Sequence, residues 1–156
     1  MSDKKQSLVL LFCIFAILFR LVPHPPNFTP ITALALFGSS QSKDRFSGTY
    51  LSLLVMFVSD IILGFSMITP FVYGSFILIS ILFNEINLKN VLASSLLFFI
   101  ITNFGVWVLG YPFTLEGLIL CYTLAIPFFV NSILGDLFFS YLLKHSYSFT
   151  EKRLWI

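Results

Sequence analysis

RLVPHPPNFTP, residues 20–30, decides how this chain is read. On either side the sequence is almost unbroken apolar, yet these eleven residues hold an arginine, a histidine, an asparagine and four prolines. Each pyrrolidine ring fixes φ at about −65° and pushes the preceding residue away from helical geometry. The first apolar run must therefore stop here, and the second must begin beyond it. The stretch reads as a loop of restricted backbone joining two helices, and the remaining sequence tells which solvent those helices meet.

Of 156 residues, 58% are hydrophobic and 10% are charged, with a mean hydropathy of +0.96. That composition excludes a water-soluble globule. The 20 phenylalanines exceed what a soluble core of this size could bury, so the lipid bilayer is the first expected partner. A net charge of +2, with nine Lys and Arg scattered along the chain, gives no basic patch for nucleic acid. Cys13 and Cys121 sit in apolar runs without metal-site spacing, so they read as small hydrophobes. No metal or cofactor is expected. Lys4 and Lys5 ahead of Leu8 to Phe19 imitate a signal peptide, but Arg20 follows in place of a small-residue cleavage motif. An uncleaved first helix is expected.

A helix needs about 20 apolar residues to cross about 30 Å of hydrocarbon. Counting runs on that basis predicts an all-α, polytopic membrane protein with about six transmembrane helices in one domain, residues 1–156. The segments are Ser7 to Val22, Pro30 to Ser42, Gly48 to Ser66, Pro70 to Phe83, Asn90 to Gly110 and Leu115 to Leu143. The second is too short to span straight, and the sixth contains Pro127 and must tilt, kink or overrun the bilayer. The runs lack the period-two alternation of a membrane barrel. With both termini cytoplasmic, the positive-inside rule places Lys4, Lys5, Lys43, Arg45, Lys89, Lys144, Lys152 and Arg153 inside and leaves only Arg20 outside.

That exception needs a reason. Asp60 falls about 12 residues into the third helix, roughly 18 Å along it, and a carboxylate there costs about 2.5–3.5 kcal/mol unless it finds a partner or a cavity. Arg20 is the obvious partner. The pair either fixes helix packing or orients a ligand. Asp136, about 21 residues into the sixth helix, is expected to approach the cytoplasmic headgroups, where Lys89, Lys144 or Arg45 could neutralise it. Its role there would be structural or partner docking, with Gly135 allowing close helix approach.

Asn103, Trp107 and Tyr111 recur every four residues and share a helix face, which makes either a pocket wall or an interfacial anchor. Tyr122 sits at comparable depth, Pro127 frees the carbonyl of Thr123, and Tyr73 points its ring into the outer half. His24 either satisfies its own loop or pairs with Asp60 as acid and base. No phosphate-binding loop, HExxH, GxSxG or acidic metal cluster is present, so an enzyme is not expected.

The segments RLVPHPPNFTPITALALFG, SDIILG, TNFGVWVLG, CYTLAIPFF and the Gly135–Asp136 pair together resemble an uncharacterised bacterial membrane family, a domain of unknown function. That family is distantly similar to the substrate-binding S components of energy-coupling-factor transporters. The resemblance implies a plasma-membrane bundle with an outward pocket capped by the loop between helices one and two. It also implies a small-molecule solute such as a vitamin, a transmembrane coupling subunit and cytoplasmic ATPases. S components carry an AxxxA coupling motif on the first helix; here that helix has Ala16 alone, and the nearest small-residue spacing is Ala35 to Ser39. The resemblance carries over no ligand contact residue by residue; depth and helix face alone give the expected substrate-binding residues Arg20, His24, Asn27, Asp60, Tyr73, Asn103, Trp107 and Tyr122, and the expected docking residues are Ala35, Ser39 and Asp136. The alternative is a structural or assembly membrane protein with no transported ligand.

Overall fold

The computed structural model describes residues 3–41 and 46–152, with side chains over 6–41 and 46–149. The cations Lys43, Arg45 and Arg153, and the side chains of Lys4, Lys5 and Lys152, lie outside the described residues. Six helices and no strand are found among those described: α1 Asp3–Leu21, α2 Ile31–Gln41, α3 Ser47–Leu63, α4 Thr69–Leu82, α5 Leu88–Gly110 and α6 Leu115–Lys152. Two helical stretches, Leu88–Gly110 and Leu115–Phe149, are long and apolar enough to cross a membrane. Gln6–Leu21, Ser47–Leu63 and Thr69–Leu82 are apolar but shorter.

Local sequence sets the helix ends, in places differently from the run lengths. α3 stops at Leu63 rather than Ser66 because Gly64 adopts φ 92° and closes the helix with an N–H bond to the Asp60 carbonyl at 2.8 Å. Asn87 caps α5, its side chain accepting from the Asn90 N–H at 2.9 Å. α6 continues to Lys152, well past Leu143, because nothing from Lys144 to Lys152 breaks a helix. The apolar run ends before the helix does.

α2 is the centre of the bundle. It packs against α3, α4, α5 and α6, and every residue from Ile31 to Ser39 is buried. Small residues make that possible: a Cβ on Gly38 would lie 2.6 Å from the Gly48 Cα of α3, and one on Gly48 would strike the Ala35 carbonyl and the Ser39 hydroxyl. Beside α2, Phe139 of α6 is enclosed by Phe15, Phe19 and Phe28, at centroid distances of 6.1, 5.1 and 5.4 Å.

The burial pattern is inverted relative to a soluble protein. Ser52, Ser59, Ser75, Ser80, Ser94, Ser95, Ser132 and Ser140 are buried, while Leu10, Leu11, Leu18, Leu54, Ile61 and Ile62 are exposed. Apolar surface gains nothing from burial when the solvent is hydrocarbon, and small residues let helices approach closely. This distribution fits lipid.

Candidate functional site

The polar side chains of the bundle fall into two groups. Those of the first fold back on their own helix: Ser52, Ser80 and Thr102 each donate to the carbonyl four residues earlier, at 2.8 Å in every case. Such back-bonding satisfies the hydroxyl and leaves little for a ligand. Those of the second reach across helices, and they gather around one cavity.

At the pole where α1 and α3 end, Arg20 donates from Nη2 to Asp60 Oδ1 at 2.7 Å. Its Nη1 serves the Met56 carbonyl at 3.2 Å and the Ser59 hydroxyl. From the start of α4, the Tyr73 hydroxyl donates to Asp60 Oδ2 at 2.8 Å. Both carboxylate oxygens therefore have a donor, and the pair is held with side-chain exposures of 14% and 7%. The partner expected from depth alone is the one Asp60 has, with Tyr73 as its second.

Below this network lies a cavity of about 310 Å³. The α1–α2 connection contributes His24, Asn27 and Thr29 to its lining; Arg20 and Asp60 line it too, and so do Phe76 and Phe98. The connection is exposed at Val22, Pro23 and from Pro25 to Asn27 and turns inward after that. Its backbone at Phe28 sits where a Cβ on Gly135 would be 3.0 Å away, so the loop rests on the middle of α6. Asn27 has φ 65°, a left-handed conformation that asparagine tolerates better than most residues. His24 bonds through Nδ1 to the Val22 carbonyl at 2.8 Å, which only accepts, so this nitrogen carries the proton; its ring packs on Phe19.

Asp136 also lines this cavity. It is 3% exposed and accepts from the Ser95 hydroxyl at 2.6 Å and from the Thr32 hydroxyl. The structure begins α6 at Leu115, as the sequence reading does, so Asp136 keeps its place along the helix; there it is enclosed by the bundle rather than open for docking. The cations expected to neutralise it are elsewhere. Lys144 donates to the Ile86 carbonyl at 2.8 Å, Lys89 is exposed, and Arg45 is not among the described residues. Ala35 and Ser39 are likewise enclosed, Ser39 donating to the Ser80 carbonyl of α4 at 2.8 Å. Their small-residue spacing seats α3 and α4 within the chain.

The aromatic wall is divided. Asn103 donates to its own helix at the Phe99 carbonyl, 2.8 Å away, and lines a second cavity of about 360 Å³ that shares Asn27, Val72 and Phe98 with the first. Tyr111 lines that second cavity as well. Trp107 lines neither cavity: its Nε1 donates to the Pro112 carbonyl at 3.1 Å and its ring stacks on Phe113 at 4.3 Å, closing the α5–α6 turn. Tyr122 donates to the Ile100 carbonyl at 2.7 Å. The residues that depth and helix face did not single out are Thr32, Ser95 and Ser132. Ser132 and Asp136 are four apart and share a face of α6, which was a legible signal.

Taken together these features define a class, an all-helical bundle suited to lipid with a polar cavity built around two carboxylates. The chain belongs to DUF6580, a family of unknown function, whose family model matches residues 2–155. No curated protein and no solved structure matches it.

Proposed function

We propose that the chain is the substrate-binding membrane subunit of a small-molecule importer, taking up a vitamin-like or other organic solute. The observation that carries this reading is the cavity of about 310 Å³ whose wall includes the α1–α2 connection and the cross-helix polar groups Arg20, Asp60 and Asp136. Concave sites of this size with convergent polar groups suit small organic ligands. On this reading the chain crosses the bacterial plasma membrane with about six helices and both termini cytoplasmic. His24, Asn27 and Tyr73 stand around the ligand or hold the groups that do.

Energy for uptake would come from elsewhere, since the sequence has no phosphate-binding loop. A transmembrane coupling subunit with cytoplasmic ATPases, as in energy-coupling-factor transporters, would provide it. Purification in mild detergent followed by mass spectrometry is expected to find a retained solute, and adding that solute back should raise the unfolding temperature of the stripped protein. Asp60→Asn should lose most of that shift, whereas Trp107→Phe should keep it. Absence of any retained solute, together with no stabilisation across a library of vitamins, nucleobases and amino acids, would favour a structural or assembly role. The backbone bonds of Trp107 and Tyr122 are what that second reading expects of those two residues.

A further inference from the structure

Asp60 and Asp136 line the same cavity, but their electrostatic situations differ. Asp60 has a guanidinium at 2.7 Å. Asp136 has hydroxyls: Ser95 at 2.6 Å and Thr32. Neither brings charge. The helices packed around it offer no cation either. α2 and α4 contain no charged residue, and the only one on α5 is Lys89, exposed in its first turn. On α6, Lys144 lies two turns beyond Asp136 and is engaged at the Ile86 carbonyl. Arg20 of α1 is committed to Asp60. Among the described side chains lining the cavity, Arg20 is the one lysine or arginine, against the two acidic groups Asp60 and Asp136.

Two features prepare Asp136 to receive a cation. Its hydroxyl partners donate to it, and the residue that supplies one of them, Thr32, stands in the first turn of α2, where the helix N-terminus carries a partial positive charge of about half an elementary unit. A carboxylate so prepared, yet lacking a full counter-charge in an apolar bundle, is poised for a cation that arrives with the ligand. The same cavity has the other surface such a ligand uses. Phe76 and Phe98 line it, their ring centroids 5.2 Å apart, and aromatic faces attract desolvated ammonium groups.

We infer that the cavity binds an organic ammonium solute, with Asp136 as its counter-ion and the Phe76–Phe98 pair against its cationic head. This rests on the cavity being a solute site and names the charge class of the solute. Anionic solutes do not fit that arrangement, because they would place a further acidic group beside Asp60 and Asp136.

The test uses two pairs of probes matched in shape and differing in charge: choline against 3,3-dimethylbutan-1-ol, and 2-phenylethylammonium against 2-phenylethanol. Each is titrated against the full-length protein in detergent, and dissociation constants are taken from the rise in unfolding temperature. The ammonium member of at least one pair is expected to bind at least tenfold tighter than its neutral partner. Asp136→Asn is expected to abolish that preference. Equal binding within both pairs would overturn the ammonium assignment yet leave the cavity a solute site; failure of all four probes to bind would also overturn it. Retention of a solute by the purified protein, read independently by mass spectrometry, then tells whether the broader reading survives. Should Asp136→Asn fail to fold, the comparison within each pair on the unmodified protein still decides.

Discussion

Replacing Asp60 with asparagine changes one atom and removes the only charge facing Arg20. In the native arrangement Oδ1 takes the guanidinium at 2.7 Å and Oδ2 takes the Tyr73 hydroxyl at 2.8 Å. Asparagine can keep its oxygen toward Arg20 and turn its amide toward Tyr73, whose oxygen also accepts, so the hydrogen bonds largely survive. The charge does not. Breaking a buried pair by removing one partner costs about 3–5 kcal/mol; Arg20 retains the Met56 carbonyl and the Ser59 hydroxyl and borders a cavity, which argues for the lower end. A loss of about 3 kcal/mol in a chain of this length lowers the unfolding temperature by about 6–12 °C. The assay is thermal unfolding in detergent, paired with Arg20→Met, Asp60→Leu and the double variant Arg20→Met/Asp60→Leu. Replacing a buried ion pair by apolar residues is often close to neutral, so the double variant should be more stable than either single one. A double variant destabilised by the sum of its parts would refute the pair as a coupled unit.

Three further outcomes follow from packing. Gly48→Ala should destabilise the bundle by about 1–3 kcal/mol, because the added methyl meets the Ala35 carbonyl and the Ser39 hydroxyl; the unfolding temperature reads this directly, and an unchanged value would mean that α2 and α3 can separate at no cost. Asn27→Ala should cost about 1 kcal/mol for its left-handed backbone, while Asn27→Gly should be close to neutral in the same measurement. Trp107→Phe should cost about 1 kcal/mol through the lost bond to the Pro112 carbonyl, and ligand-induced stabilisation should be untouched.

The sequence made the helices and one contact legible, for definite reasons. Apolar runs bounded by proline and polar breaks gave six segments, and the positive-inside count isolated Arg20 as an anomaly whose partner could be found at matching depth. What it hid was the third dimension. The 13 residues from Pro30 to Ser42 are too short to span straight, and small residues at Ala35, Gly38 and Gly48 draw this helix to the centre of the bundle. Asp136 is legible as a residue of α6, but its enclosure against Ser95 of α5 is not. Four-residue spacing correctly put Asn103 and Trp107 on one face, but it could not show that the α5–α6 turn folds Pro112 and Phe113 onto the indole.

Those corrections bear on what makes the cavity a site. In an apolar helical bundle a buried hydroxyl is satisfied by back-bonding to its own helix, by linking two helices, or by facing a cavity. Most serines here take the first. Ser95 has the Val91 carbonyl at 3.1 Å and Asp136 at 2.6 Å, and with a single proton it favours the shorter, charged acceptor. Thr32 of α2 also interacts with this carboxylate. Two hydroxyls from α5 and α2 thus converge on a carboxylate of α6 which, as a structural device, could have been a leucine at lower cost, since burying a charge to hold helices together is rarely the stabler solution. On the proposed reading the carboxylate is kept for the solute in the cavity it lines, and the ammonium probes test that directly.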